Sequence, residues 1–99
     1  MNNLKLSTPQ IERMMDDVIK TLQQIAPDKI LLRGFLNDLL TPSEYRDVAL
    51  RWRIVNMIAE GQSQRDIADA LGVSPSKITR GSRELLDPKG AFAQLLHNK

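Results

Sequence analysis

The residues able to do chemistry in this 99-residue chain concentrate in one short stretch, Ser74-Pro75-Ser76-Lys77-Ile78-Thr79-Arg80-Gly81-Ser82-Arg83-Glu84-Leu85. From Val73 to Arg83 it carries Lys77, Arg80 and Arg83 and no acid, a local charge that attracts phosphate. With the hydroxyls of Ser76 and Thr79, these are donors able to reach phosphates and base edges in a major groove. On charge alone the same cluster is also an ordinary solvated helix face. The net charge of +2 conceals the asymmetry: residues 1–41 hold five basic and five acidic side chains, residues 42–99 nine and seven.

Other chemistries have little to build on. There is no cysteine, so disulfides, thiolate nucleophiles and cysteine-ligated metals are excluded, redox function with them, which fits an intracellular protein. The single histidine, His97, lies near the C-terminal end of the sequence, where fraying is expected, and offers neither a triad nor a metal site. Asp16 and Asp17 are neighbours, which a helix turns about 100° apart, so they read as a solvated face rather than a metal pair. No enzyme, cofactor or metal is expected. No apolar run approaches the roughly 20 residues that span a bilayer, and Met1–Gln10 lacks the apolar core of a signal peptide. A cytoplasmic protein without a membrane partner is expected.

The elements that must position the basic stretch are helical. A chain this short reads as one domain, and its poor ratio of volume to surface makes a homo-oligomer worth considering. Behind Thr8-Pro9, Ile11, Met14, Met15, Val18, Ile19, Leu22 and Ile25 recur at helical spacing until Ala26-Pro27. A second apolar helix follows Asp28 and runs through Ile30, Phe35 and Leu39 to Leu40. Thr41-Pro42-Ser43-Glu44 has the form of a capping box for a third, with Val48, Trp52, Val55 and Ile58 along it, Ile54 and Met57 alongside, and Gly61 as its stop. Ser63 caps a fourth from Gln64 to Leu71, ending at Gly72. Ser74 and Pro75 open a fifth, which Asp87-Pro88 closes. A last amphipathic segment holds Ala91, Phe92, Leu95 and Leu96. Gln10, Gln23 and Gln24 read as exposed polar residues without a special role. No segment alternates like a strand, so the fold class is all-α with six helices.

The fourth and fifth helices are joined by Gly72-Val73-Ser74, the tight turn of a helix-turn-helix. Ala68 is small where two helices cross, Gly72 can take positive φ, Val73 can plug the angle, and Ile67, Leu71 and Ile78 supply apolar contact. A bare helical hairpin shares that outline; the exposed Ser76, Lys77, Thr79, Arg80 and Arg83 favour DNA. Gln64 and Arg65 beside the cap Ser63 stand where free N–H groups can hold a phosphate or merely be capped. Gly81 is the anomaly. In a helix interior it costs about 1 kcal/mol relative to alanine, so either the helix frays there or something approaches the backbone closely.

From Leu39 to Leu86 the chain resembles the bacterial Trp repressor family. The matching residues are Leu40-Thr41-Pro42-x-Glu44, Arg51-x-Arg53-Ile54, Gly61, Ser63-Gln64-Arg65, Leu71-Gly72 and, most specifically, Ile78-Thr79-Arg80-Gly81-Ser82. The resemblance implies an intertwined six-helix homodimer that represses transcription when L-tryptophan, its corepressor, wedges between core and reading helix. Residues 1–60 would be dimerisation core, 63–86 the DNA-reading unit and 88–99 a C-terminal core helix. Arg51 and Arg80 would sandwich the indole, Arg80 also pairing with the carboxylate, and Gly81 would let the ring lie against the helix. Backbone carbonyls near Asp38 and Leu40, with Thr41 alongside, would receive the amino group from the partner subunit. Operator contacts would come from Ser63, Gln64, Arg65, Ser74, Ser76, Lys77, Thr79, Arg80 and Arg83.

The chain also departs from the family pattern. Glu84 replaces a small or hydroxyl residue near the ligand amine, where it can pair with the ammonium or, four residues from Arg80, occupy the arginine. Lys77 and Pro75-Ser76 replace other reading-helix residues, and one residue is missing between Gly61 and Ser63. The alternatives are a helix-turn-helix protein that binds DNA without a ligand or with another one, similar to the DNA-binding domain of replication initiators, and a helical dimerisation or partner-binding module.

Overall fold

The computed structural model describes residues 5–97, and every regular element among them is a helix: α1 (Thr8–Ile25), α2 (Lys29–Leu39), α3 (Pro42–Ala59), α4 (Gln64–Leu71), α5 (Pro75–Leu86) and α6 (Ala91–His97). The expected all-α fold of six helices is the one observed. Asn98 and Lys99, at the end of the expected 88–99 segment, lie outside the described residues. The helices form two compact units, Met1–Thr41 and Pro42–Lys99.

In the first unit α1 is capped one residue earlier than its Thr8-Pro9 signal suggests. The Ser7 hydroxyl accepts from the Gln10 N–H at 3.3 Å, and Gln10 Oε1 accepts from the Ser7 N–H at 2.7 Å. Gln10, read from sequence as a residue without a role, thus closes a capping box. At α2 the expected cap holds: Asp28 Oδ1 accepts from the Leu31 N–H at 3.0 Å. The two helices pack on each other, yet neither buries a residue fully. Ile11, Met14, Met15, Ile19, Leu31 and Leu39 are exposed, and Ile30 is 87% so. Full burial of one such side chain is worth about 1.5–3 kcal/mol, so this pair keeps a large uncovered apolar surface.

The second unit has a true core. Ile54 and Met57 of α3, Ile67 of α4 and Ile78 of α5 cluster there, with Ile58, Ala68, Leu71 and Val73 packed against them. The contacts expected of a helix-turn-helix are therefore made, and α3 backs both of its helices. α3 ends in a Schellman motif: the Gly61 N–H donates to the Ile58 carbonyl and the Gln62 N–H to that of Met57, with Gly61 at φ 92°. Gly72, at φ 64°, ends α4 in the left-handed conformation that its type was expected to supply. Not every apolar residue of α3 is inside. Val48 and Trp52, expected along the packed stripe, are exposed, while Ile54 and Met57 from alongside it are buried. The Trp52 ring instead lies tilted against Phe92 of α6, centroids 5.6 Å apart.

α5 begins without the cap its sequence promises. Ser74 has extended backbone but caps no N–H, and its hydroxyl lies 3.0 Å from that of Ser76. Pro75 starts the helix by its fixed φ and by lacking a donor that would go unpaired. The helix then runs unbroken through Gly81 to Leu86, which removes the fraying explanation. Gly81 is buried, and a Cβ there would stand 3.2 Å from Ile54 Cγ2, 3.4 Å from Val55 Cγ2 and 3.6 Å from Ile58 Cδ1. What approaches its backbone closely is α3.

Ile54 and Val55 are each 1% exposed and β-branched, so they yield little. Gly81→Leu should therefore cost about 2–3 kcal/mol in urea unfolding, the upper part of the usual overpacking range. Gly81→Ala should change stability by less than about 1 kcal/mol, its gain in helix propensity opposing the crowding. A leucine variant as stable as the parent would show that α3 and α5 are not in close contact.

Candidate functional site

The fold divides α5 lengthwise. Ile78, Gly81 and Leu85 are buried at spacings of three and four, which leaves Ser76, Lys77, Thr79, Arg80, Arg83 and Glu84 on the exposed side. Several concavities adjoin that side, an outer and an inner one among them. The outer one is a shallow depression lined by Ser76, Thr79, Arg80, Arg83 and Glu84. Thr79 Oγ1 donates to the Pro75 carbonyl at 3.0 Å, so its hydroxyl faces a ligand as an acceptor. The two guanidinium groups are the donors, with five N–H bonds each in planar forks suited to phosphate or a guanine edge.

α4 enters from its capped end. Ser63 Oγ accepts from the Asp66 N–H at 3.1 Å, which makes its capping role concrete. Gln64 and Arg65 are exposed in the first turn, as a phosphate contact requires, but Asp66 places a carboxylate in that same turn. The positive end of α4 is thus partly compensated from within.

The inner concavity is a cleft of about 330 Å³ lined by Arg51 and Val55 of α3, Lys77, Arg80, Gly81 and Glu84 of α5, and Phe92 of α6. That volume lies at the small end of the range for small-molecule sites. Four of the expected ligand residues, Arg51, Arg80, Gly81 and Glu84, meet here. The other three, Asp38, Leu40 and Thr41, belong to the Met1–Thr41 unit, with Asp38 and Thr41 exposed and Leu40 half-buried.

Three cleft residues were not expected as ligand residues. Lys77 was assigned to DNA alone, although it precedes Gly81 by four residues and Glu84 by seven and so shares their helix face. Val55 and Phe92 were read only as core, and nothing in the spacing of α6 relates Phe92 to α5.

The electrostatics are also partly tertiary. The acid-free run from Val73 to Arg83 acquires a carboxylate from α3: Asp47 Oδ1 lies 3.5 Å from Lys77 Nζ, with the two side chains 34% and 49% exposed. Such a pair contributes at most about 1 kcal/mol, so the lysine is biased rather than locked. No ion pair or side-chain hydrogen bond engages Arg51, Arg80 or Glu84 among the described residues. The cleft therefore offers free guanidinium faces and edges beside an apolar floor of Val55, Gly81 and Phe92. That combination suits a small planar apolar body carrying an anion, stacked on arginine and paired through its fork. Among the described residues there is no acidic, histidine or cysteine group disposed to hold a metal ion, and no helix long and apolar enough to cross a membrane.

The family model described as Trp repressor protein matches residues 13–99 of the chain. The Trp operon repressor homolog of Vibrio cholerae serotype O1 is 38% identical over 90 residues, which covers 86% of this chain and 82% of that protein. The homolog of Chlamydia trachomatis serovar D is 48% identical over 68 residues, 62% of this chain and 72% of that protein. The homolog of Xylella fastidiosa strain M23 is 47% identical over 57 residues, 57% of this chain and 62% of that protein. No solved structure matches the chain.

The Asp47–Lys77 pair yields a measurable expectation. In Asp47→Asn the ammonium is released and a nearby negative charge removed, so affinity for a mixed-sequence duplex at low salt should rise by about 3-fold. The gain should fade as salt is raised, and an affinity unchanged in fluorescence anisotropy would show that Lys77 does not meet DNA.

Proposed function

The chain belongs to the Trp repressor family of DNA-binding regulators, and on that premise we propose that it is a dimeric transcriptional repressor that takes L-tryptophan as corepressor in the α3–α5 cleft and controls genes of tryptophan biosynthesis or uptake. One observation carries the reading: Arg80 lines both the cleft and the outer depression, so the residue that would hold the ligand is also one that would meet the operator.

Indole stacks between the guanidinium planes of Arg51 and Arg80 over the Gly81 backbone, and Arg80 pairs with the carboxylate. The occupied cleft holds the α5 face in the orientation that meets a major groove, because the ligand has more contacts in that state. Ser76, Thr79, Arg80 and Arg83 then face base edges and phosphates, with Ser63, Gln64, Arg65, Ser74 and Lys77 at the flanks. A second copy of the chain covers the apolar faces that α1 and α2 leave exposed. In that assembly the partner subunit supplies the carbonyls near Asp38 and Leu40, with Thr41 beside them, to the ligand amine.

Titration calorimetry and retention of a random duplex pool test this together. L-Tryptophan should bind the folded dimer with one site per chain and raise DNA retention. Arg51→Ala should weaken tryptophan binding by about 5-fold or more, in proportion to a lost stacking contact. Arg80→Ala should weaken ligand and DNA binding together. Retention equal with and without tryptophan would instead make the chain a ligand-independent helix-turn-helix binder, and no salt-dependent retention at all would make it a protein-binding module.

A further inference from the structure

Of the cations Lys77, Arg80 and Arg83 on the exposed side of α5, Lys77 alone has an ion-pair partner among the described residues. That partner comes from outside the reading unit: Asp47 Oδ1 of α3 lies 3.5 Å from Lys77 Nζ. Asp47 stands four residues before Arg51, a spacing that suits a pair along one helix, yet the pair that forms crosses to α5. The backbone beneath Lys77 is also fixed. It is the third residue of α5, behind Pro75, and its N–H donates to the Ser74 carbonyl at 3.2 Å. The first turn of a reading helix is the part that reaches base edges. An ammonium has three donors, so one can stay on Asp47 while the other two meet the O6 and N7 acceptors of a guanine. Beside it, Arg51, Ser76, Lys77 and Arg80 line a recess of about 210 Å³, where two guanidinium groups can serve a phosphate without the lysine.

We propose that Asp47 is a positioning residue for base reading: it holds the Lys77 ammonium for a guanine edge in the major groove and keeps that ammonium from serving as a general phosphate contact. Both halves follow from the carboxylate. A phosphate brought to Lys77 also meets the Asp47 charge, a like-charge encounter that weakens binding at any sequence. A guanine edge carries only partial charges and is repelled less, and an ammonium already held on one side has less freedom to lose when it binds. Phosphate contacts carry no sequence information, so suppressing one raises the ratio of specific to non-specific binding. Asp47 thus lowers the overall hold on DNA and sharpens its discrimination. This inference rests on α5 entering a major groove and adds which side chain of α3 governs what α5 reads there.

For the test, duplexes are enriched from a random pool by the full-length protein with L-tryptophan present. Anisotropy then compares the enriched duplex with a scrambled version and with versions changed one base pair at a time. In the parent, one G·C pair should be worth about 10-fold in affinity, and Lys77→Gln should abolish that preference. Asp47→Asn should raise affinity for the scrambled duplex about 3-fold without raising that for the enriched one, so their ratio falls by the same factor, and Asp47→Glu should restore it. Both side chains are partly exposed, so thermal unfolding should be unaltered in all three variants. If Asp47→Asn raises both affinities alike and leaves the ratio in place, Asp47 is only a background charge and the proposal fails. It fails equally if Lys77→Gln keeps the G·C preference, and in either case the repressor reading stands. If the parent enriches no sequence at all, the repressor reading falls, and this inference with it.

Discussion

The close contact of α5 with α3 at Gly81 is the constraint on which the rest of the second unit depends. Helices approach most closely where one of them lacks a side chain, and here the gap is filled by Ile54, Val55 and Ile58. That contact places the exposed side of α5 beside Arg51 and sets the depth of the cleft. It also explains an otherwise costly residue: the helix gives up about 1 kcal/mol of local propensity at Gly81, and the tertiary packing it permits offsets the loss.

The consequence for function is that one short helix serves two surfaces. Its buried stripe is narrow, so the remaining circumference carries seven polar or charged side chains, and Arg80 and Glu84 both line the inner cleft and the outer depression. A group seated in the inner one would therefore touch residues that also face the outer one. Asp47 has a related effect from α3, setting a carboxylate 3.5 Å from the Lys77 ammonium. The electrostatic character of the α5 face is therefore not the sum of its own sequence.

The first unit has the opposite character. Its two helices are well capped and amphipathic, but each presents more apolar surface than the other can cover. Helices in water owe most of their stability to packing of that apolar face, so the pair needs a further surface. A second copy of the chain would supply one without any new sequence, as in the dimer proposed above.

The sequence by itself determined the helical class, the number and approximate limits of the helices, the helix-turn-helix with its Ala68, Gly72 and Val73, and the family through Ile78-Thr79-Arg80-Gly81-Ser82. These are legible because caps, stops and apolar periodicity act over a few residues. It also named Arg51, Arg80, Gly81 and Glu84 as one site, though by resemblance and not by spacing, since Arg51 lies a whole helix-turn-helix away. Competition among local signals misled it at Ser7, Gln10 and Ser74, where several hydroxyl and amide groups stand within reach of the same N–H groups. Only the tertiary structure decided what Gly81 is close to, that Asp47 meets Lys77, that Phe92 completes the cleft and that Trp52 lies outside the core. Each of these depends on where two helices cross, and that is set by the joint packing of Ile54, Met57, Ile67 and Ile78 rather than by any one segment.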